Sequence, residues 1–334
     1  MPPYRERTIA NSSKEGGAEA KGEPRWVEPP VHVFEQQPEY ELPFAAADTE
    51  GRLHYFAGFG SVFFDPRTQR WAQKESPLYH VYPADPNSNW LEGSGPSWWR
   101  RSAGAAVTGP DGRIFLVGGL GTPALRRGSD RDVLDGLDVY DPARGVWRRA
   151  ASMTTARQSL AAAFASNGKL YVFGGCSCLG WVPFDKQGGS NGDARARTEL
   201  DARRHAVAST EVYDPKTDTW SLAAPMPKPR MLGAAARGAD GRIYLIGGQT
   251  SWGGPPLSDV DVYDPATDRW SRGPSLRIPR LGHAAATTAD GTIWVVGGYA
   301  GAPRVTEVNR LLAGDKEGPT ISVELLKTSP PQNP

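Results

Sequence analysis

Five times along this chain of 334 residues the same phrase returns: an Ala-rich stretch, a turn with Gly, an apolar run closing in Gly-Gly, an aromatic-Asp-Pro turn and a Trp. Repetition constrains a fold more than any single motif, because each unit buries its apolar side against the next copy. The clearest copy runs from Arg230 through Ala234-Ala235-Ala236, Asp240-Gly241, Gly247-Gly248 and Tyr263-Asp264-Pro265 to Trp270. Copies led by Arg101 and Arg157 carry the same marks, at Gly118-Gly119, Tyr140-Asp141-Pro142 and Trp147, and at Gly174-Gly175, Tyr213-Asp214-Pro215 and Trp220. The copy led by Arg280 keeps Asp290-Gly291 and Gly297-Gly298, and a worn one opens the series, from Phe44 through Phe64-Asp65-Pro66 to Trp71. The second Gly stands at 119, 175, 248 and 298, in steps of 56, 73 and 50 residues. Four short strands within such a period make a propeller blade.

Each part has a physical reason. Innermost strands crowd around the axis, so they carry small side chains. Asp-Gly and Asn-Gly supply the positive φ of two-residue hairpins, and the glycine pair permits a sharp exit and close backbone approach. The Tyr and the Trp, seven positions apart at 263 and 270, place large rings between neighbouring blades.

These motifs, from about residue 42 to 311, resemble the kelch repeat family. The resemblance implies an all-β, kelch-type propeller of four-stranded blades. Five blades are recognisable and a sixth, using Val31–Glu35, is open. The expected organisation is a disordered tail over 1–25, one propeller over 26–327 and a short tail over 328–334. The ring is expected to close through terminal strands, with Arg25-Trp26-Val27 and Thr320–Leu326 competing to complete the last blade.

In kelch-like propellers ligands lie across the face built by the loops after Gly-Gly and the loops entering the inner strands. The resemblance therefore points to Ser102, Gln158, Ser159, Gln249 and Tyr299. Two insertions enlarge that face, 76–99 with Trp99 and 176–210 with Trp181, and long loops of this kind are usually functional or disordered. The leading arginines 101, 157, 230 and 280 are expected to bind backbone carbonyls rather than ligand. Segment 120–136 reads as a solvated charge run, and His283, in an Ala-rich inner strand, as a core histidine.

The net charge of +1 supplies no electrostatic footprint for nucleic acid or an anionic membrane, and no apolar run is long enough to cross a bilayer. Cys176 and Cys178 sit too close for an ordinary disulfide and read as free thiols, which fits a reducing, cytoplasmic setting. The expected function is a monomeric binding scaffold without cofactor, whose partner is a protein, a peptide or a small molecule. The alternative is a metal-assisted or cofactor-free lyase, isomerase or cyclase capped by 176–210. Cys176, Cys178, Asp201 and His205 would be its candidate ligands for iron or zinc.

Overall fold

The computed structural model describes residues 44–49, 52–57, 60–65, 70–74, 90–91, 98–123, 132–177, 206–288, 290–299 and 323–328. The first blade is the antiparallel meander β1 (Phe44–Ala47), β2 (Leu53–Ala57), β3 (Gly60–Asp65) and β4 (Arg70–Lys74). Next come β5 (Trp90–Leu91) and β6 (Trp98–Ser102), then the second blade, β7 (Ala105–Thr108) and β8 (Ile114–Val117), interrupted by β9 (Leu120–Pro123) and β10 (Asp132–Val133) and completed by β11 (Leu137–Asp141) and β12 (Val146–Ala150). The third blade is β13 (Ala161–Phe164), β14 (Leu170–Phe173), β15 (Thr210–Asp214) and β16 (Thr219–Ala223). The fourth is β17 (Ala234–Arg237), β18 (Ile243–Ile246), β19 (Val260–Asp264) and β20 (Arg269–Arg272). The inner strands β1, β7, β13, β17 and then β21 (Ala284–Thr287) pack side by side in chain order.

Four blades have at least four strands, while the fifth has three among the described residues: β21, β22 (Thr292–Val296) and β23 (Val323–Lys327). The C-terminal strand thus joins the last blade, antiparallel to β22 with Val295 opposite Glu324. The competing Trp26 strand and the Val31–Glu35 segment lie outside the described residues. One side of this sheet packs on the fourth blade through Ala285, Ile293, Val295 and Leu326. On its other side Trp294, Val296, Val323 and Leu325 are exposed, Leu325 by 55%.

The segment 120–136 departs from a plain solvated loop, because both its ends pair. β9 lies between β6 and β10, so the chain leaving Gly119 continues as a small sheet beyond the blade. Short apolar ends, Leu120 and Val133, made that pairing possible beside the charged centre. Part of 76–99 also finds a strand partner, since β5 adds to the outer edge of β12.

Apolar layers between blades form the core. Phe115, Val117, Leu137 and Val139 of the second blade meet Leu160, Phe164, Leu170 and Tyr213 of the third, and each such buried side chain contributes roughly 1.5–3 kcal/mol. Phe115 meets Phe164 edge-on, with centroids 4.9 Å apart. The aromatic-Asp-Pro hairpin adds directed bonds to this packing. Asp218 and Asp268, both at φ 54°, accept the hydroxyls of Tyr213 and Tyr263 at 2.6 Å. The same carboxylates accept the Ala151 and Ala224 amides of the preceding blade. Trp220 and Trp270 donate their indole N–H groups to the carbonyls of those two alanines. Burial and the neighbouring aspartate push both tyrosine phenols well above their ordinary range. Tyr263→Phe removes one neutral-to-charged bond without opening space, so a loss of about 1–2 kcal/mol in urea unfolding is expected; an unchanged midpoint would show the hydroxyl to be idle.

Candidate functional site

At one end of the propeller each Gly-Gly exit meets the loop entering its own inner strand. Ser102 pairs with Leu120, and single antiparallel bridges join Gln158 to Cys176, Met231 to Gln249 and Leu281 to Tyr299. The second glycine makes this possible. A Cβ on Gly175, Gly248 or Gly298 would stand 2.5, 2.6 or 2.7 Å from the carbonyl oxygen of Gln158, Met231 or Leu281, and each φ is positive. Only glycine tolerates both conditions.

A backbone belt crosses these pairs from blade to blade. Ser159 donates its amide to the Ala103 carbonyl at 2.5 Å, Leu232 to Ser159 at 2.9 Å, and Gly282 to Leu232 at 2.8 Å. All four belt residues have left-handed φ, 54 or 55° for the three that are not glycine and 63° for Gly282. Left-handed Ala, Ser and Leu are uncommon, and such backbones persist where surroundings over-determine them.

The leading arginines lock the belt from below. Each carbonyl of Arg157, Arg230 and Arg280 accepts the amide of the second glycine in the preceding blade: Gly119, Gly175 and Gly248. The guanidinium turns into its own blade. Arg157 donates to the Gly174 and Ser209 carbonyls and pairs with Glu211. Arg230 donates to the Leu245, Gly247 and Asp259 carbonyls and pairs with Asp261, while Arg280 reaches Gly297 and Glu324. Burial lowers the Arg157 and Arg230 pKa values, and the carboxylate partner opposes that. The acidic partner was missed in the sequence although its signal is regular. An acid stands at the second position of each of these third strands: Glu211, Asp261 and Glu324.

The structure brings Ser102, Gln158, Ser159 and Gln249 to this end but buries all four, and leaves Tyr299 half-buried. An open polar rim was the sequence expectation. Bridge pairing draws these side chains below the surface instead. Trp99 lies in β6, opposite Thr122; Trp181, Cys178, Asp201 and His205 lie outside the described residues. Between the third and fourth blades Cys176, Ala206 and Met231 form a small buried cluster, flanked by Leu232 and Trp252. Ala206 donates its amide to Thr250, and Val207 to Gly175.

Cys176 corrects one expectation. Its sulfur is in a disulfide and among the described residues no cysteine is free, where two separate thiols were anticipated; the chain has one other cysteine, Cys178, outside the described residues. A thiolate at Cys176 is thereby removed from the candidate metal ligands, and the case for a reducing compartment loses its support. Among the described residues no three His, Cys, Asp or Glu side chains form a metal-holding group. Among them, too, no helix is long and apolar enough to cross a membrane.

His283 fills the inter-blade position that Leu160 fills two interfaces earlier. The ring stands where a Cβ on Gly247 would be 2.7 Å away, as Leu160 stands beside Gly118. Burial, then the charge of Arg280, lowers its pKa to about 4, so the imidazole is neutral at pH 7. At the opposite end a cleft of about 420 Å³ separates the first two blades. There Arg52 and Arg113 are engaged by their own Asp48 and Asp111 at 2.7 Å, an arrangement that serves the hairpins.

The kelch motif matches residues 101–154, 188–227 and 230–277. The chain is 26% identical to Kelch repeat and BTB domain-containing protein 12 of Danio rerio over 51% of its length and 26% of that protein. It is 29% identical to an F-box/kelch-repeat protein of Arabidopsis thaliana, over 47% of this chain and 34% of that one. A third relative, N-acetylneuraminate epimerase of Yersinia pestis, is 28% identical over 51% of this chain and 41% of the enzyme. The chain thus spans less than half the length of the curated relatives it matches. The solved structure of YjhT superposes with a TM-score of 0.57 at 18% identity, covering 85% of this chain and 80% of that one, which bears on the fold alone. Motif by motif and blade by blade, the chain belongs to the kelch-repeat family.

Proposed function

We propose that this propeller is a non-catalytic binding module whose ligand lies across the Gly-Gly end. The carrying observation is the repetition of one recognition geometry, a bridged pair of rim residues on a shared belt, in four successive blades. The buried arginines at that end are spent on Glu211, Asp261 and Glu324, so among the described residues the remaining chemistry is amide, hydroxyl and aromatic. Such groups recognise a ligand and orient it; they do not supply an acid and a base.

Relatives named for BTB and F-box domains support a protein or peptide partner, and the epimerase supports a small one. The test is selection from a displayed peptide library. Peptides should bind the native protein, lose about tenfold or more with Tyr299→Ala or Trp252→Ala, and keep full affinity with Leu222→Ala, an exposed position on β16. Equal binding by all variants would remove this face. In parallel, accelerated epimerisation of N-acetylneuraminate, followed by proton NMR, would overturn the non-catalytic reading in favour of the isomerase alternative.

A further inference from the structure

We infer that residues 25–28 supply the outer strand of the fifth blade, docking on the edge of β23 with Trp26 in the seam between the fourth and fifth blades. The third strands β3, β11, β15 and β19 each pair on both edges, whereas β23, among the described residues, pairs with β22 alone. An open strand edge is a template for one more strand. The outer partners β4, β12, β16 and β20 all carry Trp at their second position, opposite an aromatic ring of the third strand: Phe64 and Trp71, Tyr140 and Trp147, Tyr213 and Trp220, Tyr263 and Trp270. Arg25-Trp26 repeats the opening of Arg70-Trp71 and Arg269-Trp270.

Packing at the seam points to the same ring. Trp220 packs with Met153 and Tyr213 between the second and third blades, and Trp270 with Met226 and Tyr263 between the third and fourth. Those methionines and tyrosines are 4% exposed or less. Between the fourth and fifth blades Leu276 and Leu326 hold the two places, are only partly buried, and have no tryptophan beside them among the described residues.

The polar groups of the seam change in concert. Trp220 and Trp270 donate to the carbonyls of Ala151 and Ala224, each four positions past the Trp of the preceding blade; the counterpart past Trp270 is Pro274, which is exposed. A buried indole N–H takes such a carbonyl. The amides of both alanines and the hydroxyls of Tyr213 and Tyr263 go to Asp218 and Asp268, two positions before each Trp. At the last seam Pro274 has no amide and Leu326 no hydroxyl, and the residue two before Trp26 is Pro24. Both donors and their acceptor are absent together, so the indole bond is the one polar contact the seam asks for.

Chain length agrees. Trp147, Trp220 and Trp270 stand 14 positions before Ala161, Ala234 and Ala284, where the next inner strands begin, and Trp26 stands 18 before Phe44, the start of β1. With Trp26 opposite Leu326, Val27 falls opposite Leu325, which is 55% exposed. Glu28 falls opposite Glu324, and Arg280, already bonded to that carboxylate, offsets the like charge.

Cysteine pairs in the full chain test the docking. Val27→Cys with Leu325→Cys sets two thiols opposite each other, whereas Glu28→Cys with Leu325→Cys turns them to opposite faces of the sheet. Mild oxidation followed by non-reducing peptide mapping should join 27 to 325 within one copy, about tenfold or more over 28 to 325. Equal yields, or no link between 27 and 325, would overturn the assignment. A link found only between two copies would overturn it in favour of a strand donated by a second chain. Hydrogen exchange reads the same contact without new thiols: Trp26→Ala should speed exchange of β23 amides about tenfold or more while β13 amides keep their protection. Unchanged exchange in β23 would also overturn the assignment.

Discussion

Arg157→Leu is expected to cost about 3–5 kcal/mol of stability and, at a few degrees per kcal/mol for a chain of this size, to lower the unfolding midpoint by about 10 °C. The arginine and Glu211 are both fully buried. Removing the cation strands a carboxylate in the interior with only the Thr154 amide, at 2.7 Å, left to satisfy it. It also takes the guanidinium donor from the carbonyl of Gly174 and from that of Ser209, which keeps the Gly174 amide, and a leucine replaces neither bond. The double variant Arg157→Leu, Glu211→Leu should recover part of the loss, since the buried charge disappears, but not all of it, since the carbonyls remain. Arg272→Leu is the control. That side chain is 56% exposed although it bridges Asp259 and Asp261, and exposed pairs are worth about 0–1 kcal/mol. Urea unfolding of the four proteins decides the matter, and an Arg157 variant no weaker than the Arg272 control would refute the idea that these arginines anchor the blades.

The same residues show how far the sequence could be read. Blade order, Gly-Gly exits and aromatic-Asp-Pro hairpins are local signals, each fixed by backbone conformation, so they were legible from a single copy and secured by repetition. The arginines were legible as carbonyl binders because their position before the Ala-rich strand recurs. Glu211, Asp261 and Glu324 were harder to see: each lies dozens of residues from its arginine, at an alternating strand position that usually faces either core or solvent. Burial of Gln158 and Gln249 was illegible for a related reason. A loop residue next to glycine reads as rim, and only the bridge to the partner loop draws it inward. The placement of Val323–Lys327 as a third strand depends on register against β22, and its best sequence sign, an acid at Glu324 matching Glu211 and Asp261, becomes visible only once those acids are known. The bonded state of Cys176 was illegible, since spacing alone does not report whether a sulfur is oxidised.

The second large effect is a pH dependence centred on His283. Its pKa is about 4 in the folded protein against an ordinary 6.5, so the native state holds the ring neutral while the unfolded chain takes up a proton first as pH falls. Stability is therefore complete above about pH 6.5 and declines down to about pH 4, below which both states are protonated and this contribution stays flat. A difference of 2.5 pH units corresponds to about 3 kcal/mol. The cause is the loss of water around a ring wedged between the fourth and fifth blades, reinforced by the charge of Arg280 and partly offset by Glu324. Carboxylates held low by their hydrogen bonds, Asp48, Asp259 and Glu324 among them, act in the same direction but only below the ordinary carboxylate range. Urea midpoints between pH 7.5 and 5 thus isolate the histidine. Leucine already fills the equivalent site at Leu160, so His283→Leu should fold, match or exceed the native midpoint at pH 7, and lose most of the acid slope. A native protein as stable at pH 5 as at pH 7, or a leucine variant that keeps the slope, would place the titrating group elsewhere.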